Sequence, residues 1–263
     1  MNFVGHIHIA SRCLERSGSA KTLSDDEGSG NRRGTGPSFP SATDRYLFGT
    51  ALPDFASIGR FQLRADPDDR AVAIGVEMHH ATDTAFHASD WFVSHSRDVS
   101  AELRRRGLNR GAARAVGHVG VELLLDGRLL TDHPMLPNSA RAALDLADHD
   151  GLGLDQLVAD DDRTGWRRHL RRISSWDLPS DYHRPRAVAE RLYRILQPRR
   201  RLAFDRDEID VVAATLEHRQ PALIAEIGVL VDELVENLVD NLDYTAQRRL
   251  RRLDSASASS SSS

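Results

Sequence analysis

The sequence predicts an all-α fold, a single-domain helical bundle, on three observations. No segment alternates apolar and polar residues between turn signals for long enough to read as a strand. Long stretches instead repeat apolar residues at helical spacing, as Ile74, Met78, Ala81, Ala85 and Phe86 do. Glycine-rich phosphate-loop spellings and paired cysteines are absent, which argues against nucleotide folds and zinc ribbons.

Composition narrows the class further. The 263 residues can bury a sizeable core, and the formal net charge of -4 demands neither nucleic acid nor a membrane surface as partner. Lys21 is the only lysine, so arginine carries nearly all the positive charge. Cys13 is the only cysteine, which excludes an internal disulfide framework and suits a reducing, cytoplasmic compartment. No run approaches the roughly 20 apolar residues of a membrane helix. The first ten residues lack the basic start of a secretory signal. A soluble cytoplasmic protein without membrane insertion is the expectation.

Taken in order, residues 2 to 14 are mostly apolar and enclose His6 and His8 among Phe3, Val4, Ile7 and Ile9. Burying an imidazole is costly without a partner. Each could be satisfied by a backbone carbonyl or serve as a metal ligand, and spacing alone does not choose. From about residue 17 to 43 the chain turns to Ser, Gly, Asp, Arg and Pro, which reads as a flexible insertion within the domain. Tyr46 to Ala56 is apolar except for Asp54, whose place directly after Pro53 predicts a turn or a helix start. Arg64 to Arg70 reads as the turn into the next helix.

That helix, Ile74 to Asp90, carries His79, Asp83 and His87 at four-residue steps, on one face. A carboxylate between two imidazoles is either a metal-ligand or acid/base stripe or simply a solvated face. Trp91 to Arg106 follows, with three arginines at its end and Gly107 just beyond, the signature of a helix C-terminus. The segment from Gly111 to Leu130 places His118, Glu122 and Asp126 four apart on an apolar helix. There the carboxylates need a cation or a donor.

Residues 145 to 162 are acidic and contain glycine, so the His149-Asp150 doublet falls in a loop and is read as coincidence. Arginine-rich helical segments then alternate with turns at Leu178-Pro179 and Arg184-Pro185. A last helix runs from about Asp207 to Leu242, with Leu216, Leu223, Ile227, Leu230, Leu234 and Leu238 as its apolar stripe and Pro221 as a kink or break. The domain is therefore set at residues 1 to 250. The serine-rich residues 251 to 263 read as a disordered tail.

Three ordered stretches together carry a resemblance. Met1-Asn-Phe-Val-Gly-His-Ile-His-Ile-Ala10, Leu47-Phe-Gly-Thr-Ala-Leu-Pro-Asp-Phe55 and Gly75-Val-Glu-Met-His-His-Ala-Thr-Asp83 resemble the acyl carrier protein phosphodiesterase family. Its patterns are Met-Asn-Phe-x-x-His-x-His-x-Ala, Gly-Asn-Leu-x-x-Asp-Phe and Gly-Ile-x-x-His-x-x-x-Asp. The region from Trp176 to Arg201 is similar only loosely, so the resemblance is specific in the N-terminal half. It implies a divergent member of the HD-type metal-dependent phosphohydrolases, all-helical, removing 4′-phosphopantetheine from holo-acyl carrier protein with a divalent ion, manganese foremost and iron or zinc as alternatives.

Carried over by position, the resemblance implies metal-site roles for His6, His8, Asp54, His79 and Asp83. It matches Glu122 and Asp126 to an Asp-x-x-x-Asp-His helix. Two departures stand out: His87 replaces an aspartate, and Gly127 follows Asp126 where the family has histidine. With His87 counted as an exchanged ligand, the expected metal set is His6, His8, Asp54, His79, Asp83, His87 and Asp126, and Glu122 and Asp83 are the expected catalytic carboxylates. A bound ion would polarise the phosphoryl oxygen, and Glu122 would accept the proton from water. Acyl carrier protein is acidic, so Arg104 to Arg106, Arg167-Arg168 with Arg171-Arg172, and Arg199 to Arg201 are candidate docking clusters. Two rival readings keep the same scaffold: hydrolysis of another phosphoester, and binding without catalysis.

Overall fold

The structure, a computed structural model, describes residues 2 to 17 and 39 to 260, with side chains through residue 240. The described residues form nine α-helices and no strand. These are α1 (Phe3–Ser17), α2 (Ala42–Gly59), α3 (Arg70–Ala88), α4 (Asp90–Arg105), α5 (Arg110–Asp132), α6 (Leu136–Leu146), α7 (Arg163–Ser174), α8 (Pro185–Leu196) and α9 (Ile209–Ser260). Short 3-10 turns lie between α6 and α7, in the acidic, glycine-containing stretch. Most of the insertion expected at 17 to 43 lies outside the described residues.

Residues divide into two compact units, each drawn from three separate stretches of chain. Unit 1 holds Met1–Gly5, Asp83–Pro137 and Leu178–Leu234; unit 2 holds His6–Thr82, Asn138–Asp177 and Val235–Ser263. Where the sequence predicts one domain, the unit boundaries fall inside α1, α3, α6 and α9 and, once, in the stretch between α7 and α8.

In unit 1, α4 and α5 form a short-looped pair. Ser89 Oγ caps α4 by accepting from the Phe92 N–H, and Asn109 Oδ1 caps α5 by accepting from Ala112. Between them the chain reverses through Gly107 at φ +98, a conformation that glycine alone adopts without strain. Glu102, buried on α4, accepts from Arg106 at 2.8 Å and from Arg219 of α9 at 2.7 Å. Helix α5 also packs against α8, whose first residue is Pro185, the position where a missing N–H costs nothing.

In unit 2, α1 is buried on every side from His6 to Ala10, which places both of its histidines in the interior. Helices α2 and α3 meet backbone to backbone. A Cβ built on Gly49 would lie 2.2 Å from the Val72 carbonyl oxygen, and one on Gly75 would lie 2.2 Å from that of Tyr46. Only glycine fits at either position. Around this crossing pack Phe48, Leu52, Phe55 and Ile74, all inaccessible to solvent. Helix α7 joins them through His169, whose Nε2–H donates to the Phe55 carbonyl at 2.7 Å, while its Trp166 indole N–H donates to the Leu154 carbonyl of the preceding 3-10 turn at 2.9 Å.

Two elements differ from the sequence expectation. Pro53 lies inside α2, so Asp54 is neither in a turn nor at a helix start. The proline removes one bond, to the Gly49 carbonyl, and burial of the flanking apolar residues offsets that loss. Pro221 likewise lies within an unbroken α9, and that helix continues past Leu242 through Ser260. The added stretch contains no glycine or proline to stop it. Residues 261 to 263 lie outside the described residues.

The crossing yields a first prediction. Gly49→Ala or Gly75→Ala should cost about 3 kcal/mol, the upper end for an overpacked core, because the clashing atoms are backbone. Urea unfolding measures it, and a midpoint unchanged from wild type would contradict the packing described.

Candidate metal centre

Unit 2 brings His6, Asp54 and His79 together, with one ligand atom from each lying within 4.8 Å of the others. His6 comes from α1, Asp54 from α2 and His79 from α3. His6 Nε2 stands 4.0 Å from Asp54 Oδ2, and the two imidazole rings stack with centroids 3.9 Å apart. His6 and His79 are buried, whereas the Asp54 carboxylate keeps 22% of its exposure and gives the group its opening to solvent.

The Thr50 carbonyl, one turn before Asp54, lies 2.8 Å from His79 Nδ1. A carbonyl only accepts, so Nδ1 carries the proton and Nε2 of the neutral ring keeps its lone pair. This is the arrangement that metal-ligating histidines use to fix tautomer and orientation. Two imidazoles and a carboxylate suit a divalent manganese, iron or zinc ion, so the donor set fits a metal. Backbone contact at Gly49 and Gly75 is what lets the Thr50 carbonyl reach His79.

A second group that could hold a metal lies in unit 1: His87, His118 and Glu122. Its bonding is that of a hydrogen-bond relay. His87 Nδ1 is 3.2 Å from Asp83 Oδ1 and His87 Nε2 is 3.1 Å from Glu122 Oε1, while His118 Nε2 is 3.2 Å from the same Glu122 oxygen. The His87 and His118 rings stack at 5.0 Å, and Phe92 sets its edge against both. Because each His87 nitrogen faces a carboxylate, the ring is an imidazolium, and a metal would have to displace one of its protons. Hydrogen bonds to Asp83 and then Glu122 raise the His87 pKa to about 9, against the opposing effect of burial. Burial alone would raise the Glu122 pKa, but hydrogen bonds from His118 and His87 outweigh it and hold the carboxylate well below its usual range.

The remaining expected residues are placed as follows. His8 is buried two positions beyond His6, about 200° around α1, and belongs to neither group. Asp83, expected beside His79, pairs with His87, so the four-residue stripe on α3 divides between two groups. Asp126 is fully buried and its Oδ1 accepts from the Gly5 N–H at 3.0 Å, which satisfies an open donor in the first turn of α1. Gly127 has no room for a side chain, since a Cβ there would lie 2.2 Å from the Tyr182 carbonyl carbon and 2.3 Å from the His183 nitrogen. Sequence reasoning placed His118 on the α5 line without assigning it to the site, although its spacing to Glu122 signalled the contact. The Thr50 carbonyl had no sequence signal, because any residue carries one. Comparison with protein-family models, curated proteins and solved structures finds no match to this chain.

Unit 1 yields two predictions, one from the relay and one from Gly127. A group whose folded pKa is raised stabilises fully below its unfolded value near 6.5 and loses that contribution as pH passes about 9. Glu122, shifted down, contributes above its unfolded value near 4.5 and loses stability as pH falls. The denaturation midpoint should therefore decline between pH 6.5 and 9, and His87→Gln should flatten that limb; a wild-type midpoint constant across the window would show that His87 is not charged. Separately, Gly127→His should unfold the chain or lower its stability by about 3 kcal/mol by calorimetry, because the clash is with backbone.

Proposed function

We propose that the chain is a metal-dependent phosphoester hydrolase, and that its substrate is holo-acyl carrier protein, from which it removes 4′-phosphopantetheine. The observation that carries the reading is the His6–Asp54–His79 group with the His79 tautomer fixed by Thr50. All three are among the five residues, with His8 and Asp83, to which the resemblance assigns metal-site roles. Manganese, iron or zinc would be held by His6, His79 Nε2 and Asp54. A bound divalent ion supplies Lewis acidity toward a phosphoryl oxygen and acidifies a coordinated water.

The chain's own residues do the positioning. Thr50 keeps a lone pair on His79 Nε2, and stacking against His6 holds both rings in register. Asp54, the most accessible of the three, faces arriving substrate. Glu122 is a poor proton acceptor near neutrality, because two histidines already donate to it. Asp83, the other carboxylate expected to be catalytic, is partly exposed and pairs with His87. In unit 2, α7 presents Arg167, Arg168, Arg171 and Arg172 to solvent as a docking face for an acidic carrier. Asp155 and Asp148 already pair with Arg167 and Arg171, which leaves Arg168 and Arg172 to carry the attraction.

The filled space at Gly127 favours a second reading, hydrolysis of a different phosphoester on the same metal group, because the family's histidine is excluded there. One experiment separates the two. Purified protein with manganese is incubated with holo-acyl carrier protein, whose mass is then measured, and in parallel with a chromogenic phosphodiester. Loss of the prosthetic group from the carrier supports the first reading. An unchanged carrier alongside a cleaved diester favours the second, and inactivity on both with no bound metal overturns both. Asp54→Asn should lower metal affinity by about tenfold to a hundredfold, measured by competition with a chelating dye, with the helical circular dichroism unchanged.

A further inference from the structure

A groove of about 720 Å³ in unit 1 runs between α4, α5 and the turn after α8. Its rim carries Arg97, Arg104, Arg114 and Arg199, all exposed. Arg97 touches Asp98 at 3.3 Å, a solvent-exposed pair, whereas Arg104, Arg114 and Arg199 make no ion pair among the described residues. No carboxylate lines the groove among those residues. In a chain of net charge -4, four guanidiniums around one hollow without an acid make a strong local anion site. Two further donors face the same space: His118, half exposed, and the buried Ser96 hydroxyl, which has no hydrogen-bond partner among the described residues.

The floor is of the opposite character. Ala101 of α4, Ala115 and Val119 of α5, and Leu196 and Leu202 supply apolar surface beneath the arginines. Helical spacing explains the split. Ser100 and Arg104 stand one turn apart on α4, as do Arg114 and His118 on α5, with Ala115 and Val119 one step around from the latter pair. Arginine rows above small apolar residues suit a ligand with a charged head and a hydrocarbon body. Among the described residues the lining contains no Phe, Tyr or Trp to stack on a base, its one ring, His118, is held by Glu122, and no side-chain amide is there to read a base edge, so a nucleotide is disfavoured. Four cations match a phosphate dianion better than a carboxylate.

We propose that this groove binds an alkyl phosphate, a small phosphate-headed amphiphile, with Arg97, Arg104, Arg114 and Arg199 on the head and the α4–α5 floor under the chain. The site shares no residue with the His6–Asp54–His79 group and stands whether or not that group is catalytic. His118 links the groove to the buried Glu122, so a bound phosphate also meets a histidine held by a carboxylate.

Calorimetric titration of the full chain, with a chelator present to empty the metal group, tests it. The probes are octyl phosphate below its micellar concentration, inorganic phosphate and octyl glucoside. Octyl phosphate should bind about tenfold tighter than inorganic phosphate, and octyl glucoside should not bind. Arg104→Gln with Arg114→Gln should weaken octyl phosphate at least about tenfold, since each lost charge-assisted bond is of that size. Arg199→Gln, outside both helices, gives the same reading should the double variant fold poorly. Arg168→Gln on α7 should bind as wild type does. Equal affinity for octyl and inorganic phosphate, equal affinity for octyl glucoside, or undiminished binding by the folded variants would each overturn the proposal.

Discussion

The backbone contact between α2 and α3 at Gly49 and Gly75 is the constraint on which the candidate metal centre depends. Two helices normally pack with axes 8 to 10 Å apart, separated by side chains. Here neither position has a side chain, and each glycine lies against a carbonyl of the other helix. Closeness gives the Thr50 carbonyl its reach to His79 Nδ1, and Asp54 follows one turn later on the same face of α2. A bulkier pair would separate the helices, break that hydrogen bond and release the His79 ring to either tautomer. The ligand geometry is therefore set by two residues that bear no chemistry of their own.

Buried carboxylates in unit 1 illustrate the complementary rule, that a buried charge needs a partner with protons to give. Glu122 takes two from His87 and His118 through a single oxygen, and Glu102 takes its share from Arg106, His218 and Arg219. Asp126 uses a helix N-terminus instead, accepting from Gly5. Three carboxylates that look equivalent in sequence thus differ in their donors: imidazoles at Glu122, two guanidiniums with an imidazole at Glu102, and a backbone N–H at Asp126.

Much of the fold was legible in the sequence. Helical periodicity gave α3, α4, α5 and α9, and the terminal arginines with Gly107 marked the end of α4, because local patterns of apolar residues and turn formers act over a few residues. The α1 histidines were visible as an anomaly in an apolar segment, and His6 and His79 do share a group with Asp54. Three features were not legible. Pro53 signals a break, yet the surrounding burial of Leu52 and Phe55 holds the helix through it, a tertiary effect outweighing a local one. The four-residue stripe of His79, Asp83 and His87 divides between two groups, since spacing along a helix fixes which side chains share a face and not what other helices bring to each turn. The role of Gly127 depends on residues 182 and 183, more than fifty positions away.

The same logic shows what a histidine at position 87 does that an aspartate would not. Asp83 and Glu122 lie on either side of it, each within about a hydrogen bond's length. An aspartate there would set three carboxylates together in a half-buried space, and such a cluster persists only with a cation to hold it. An imidazolium with both nitrogens donating supplies that positive charge from within the chain. It satisfies each neighbour by a directed bond, and the stacked His118 ring gives Glu122 a second donor. A histidine at this position thus neutralises its neighbours with a proton where an aspartate would call for a metal. The other group that could hold a metal, His6, Asp54 and His79, is arranged differently, with the His79 ring oriented by a backbone carbonyl at Nδ1 rather than by a carboxylate on each side.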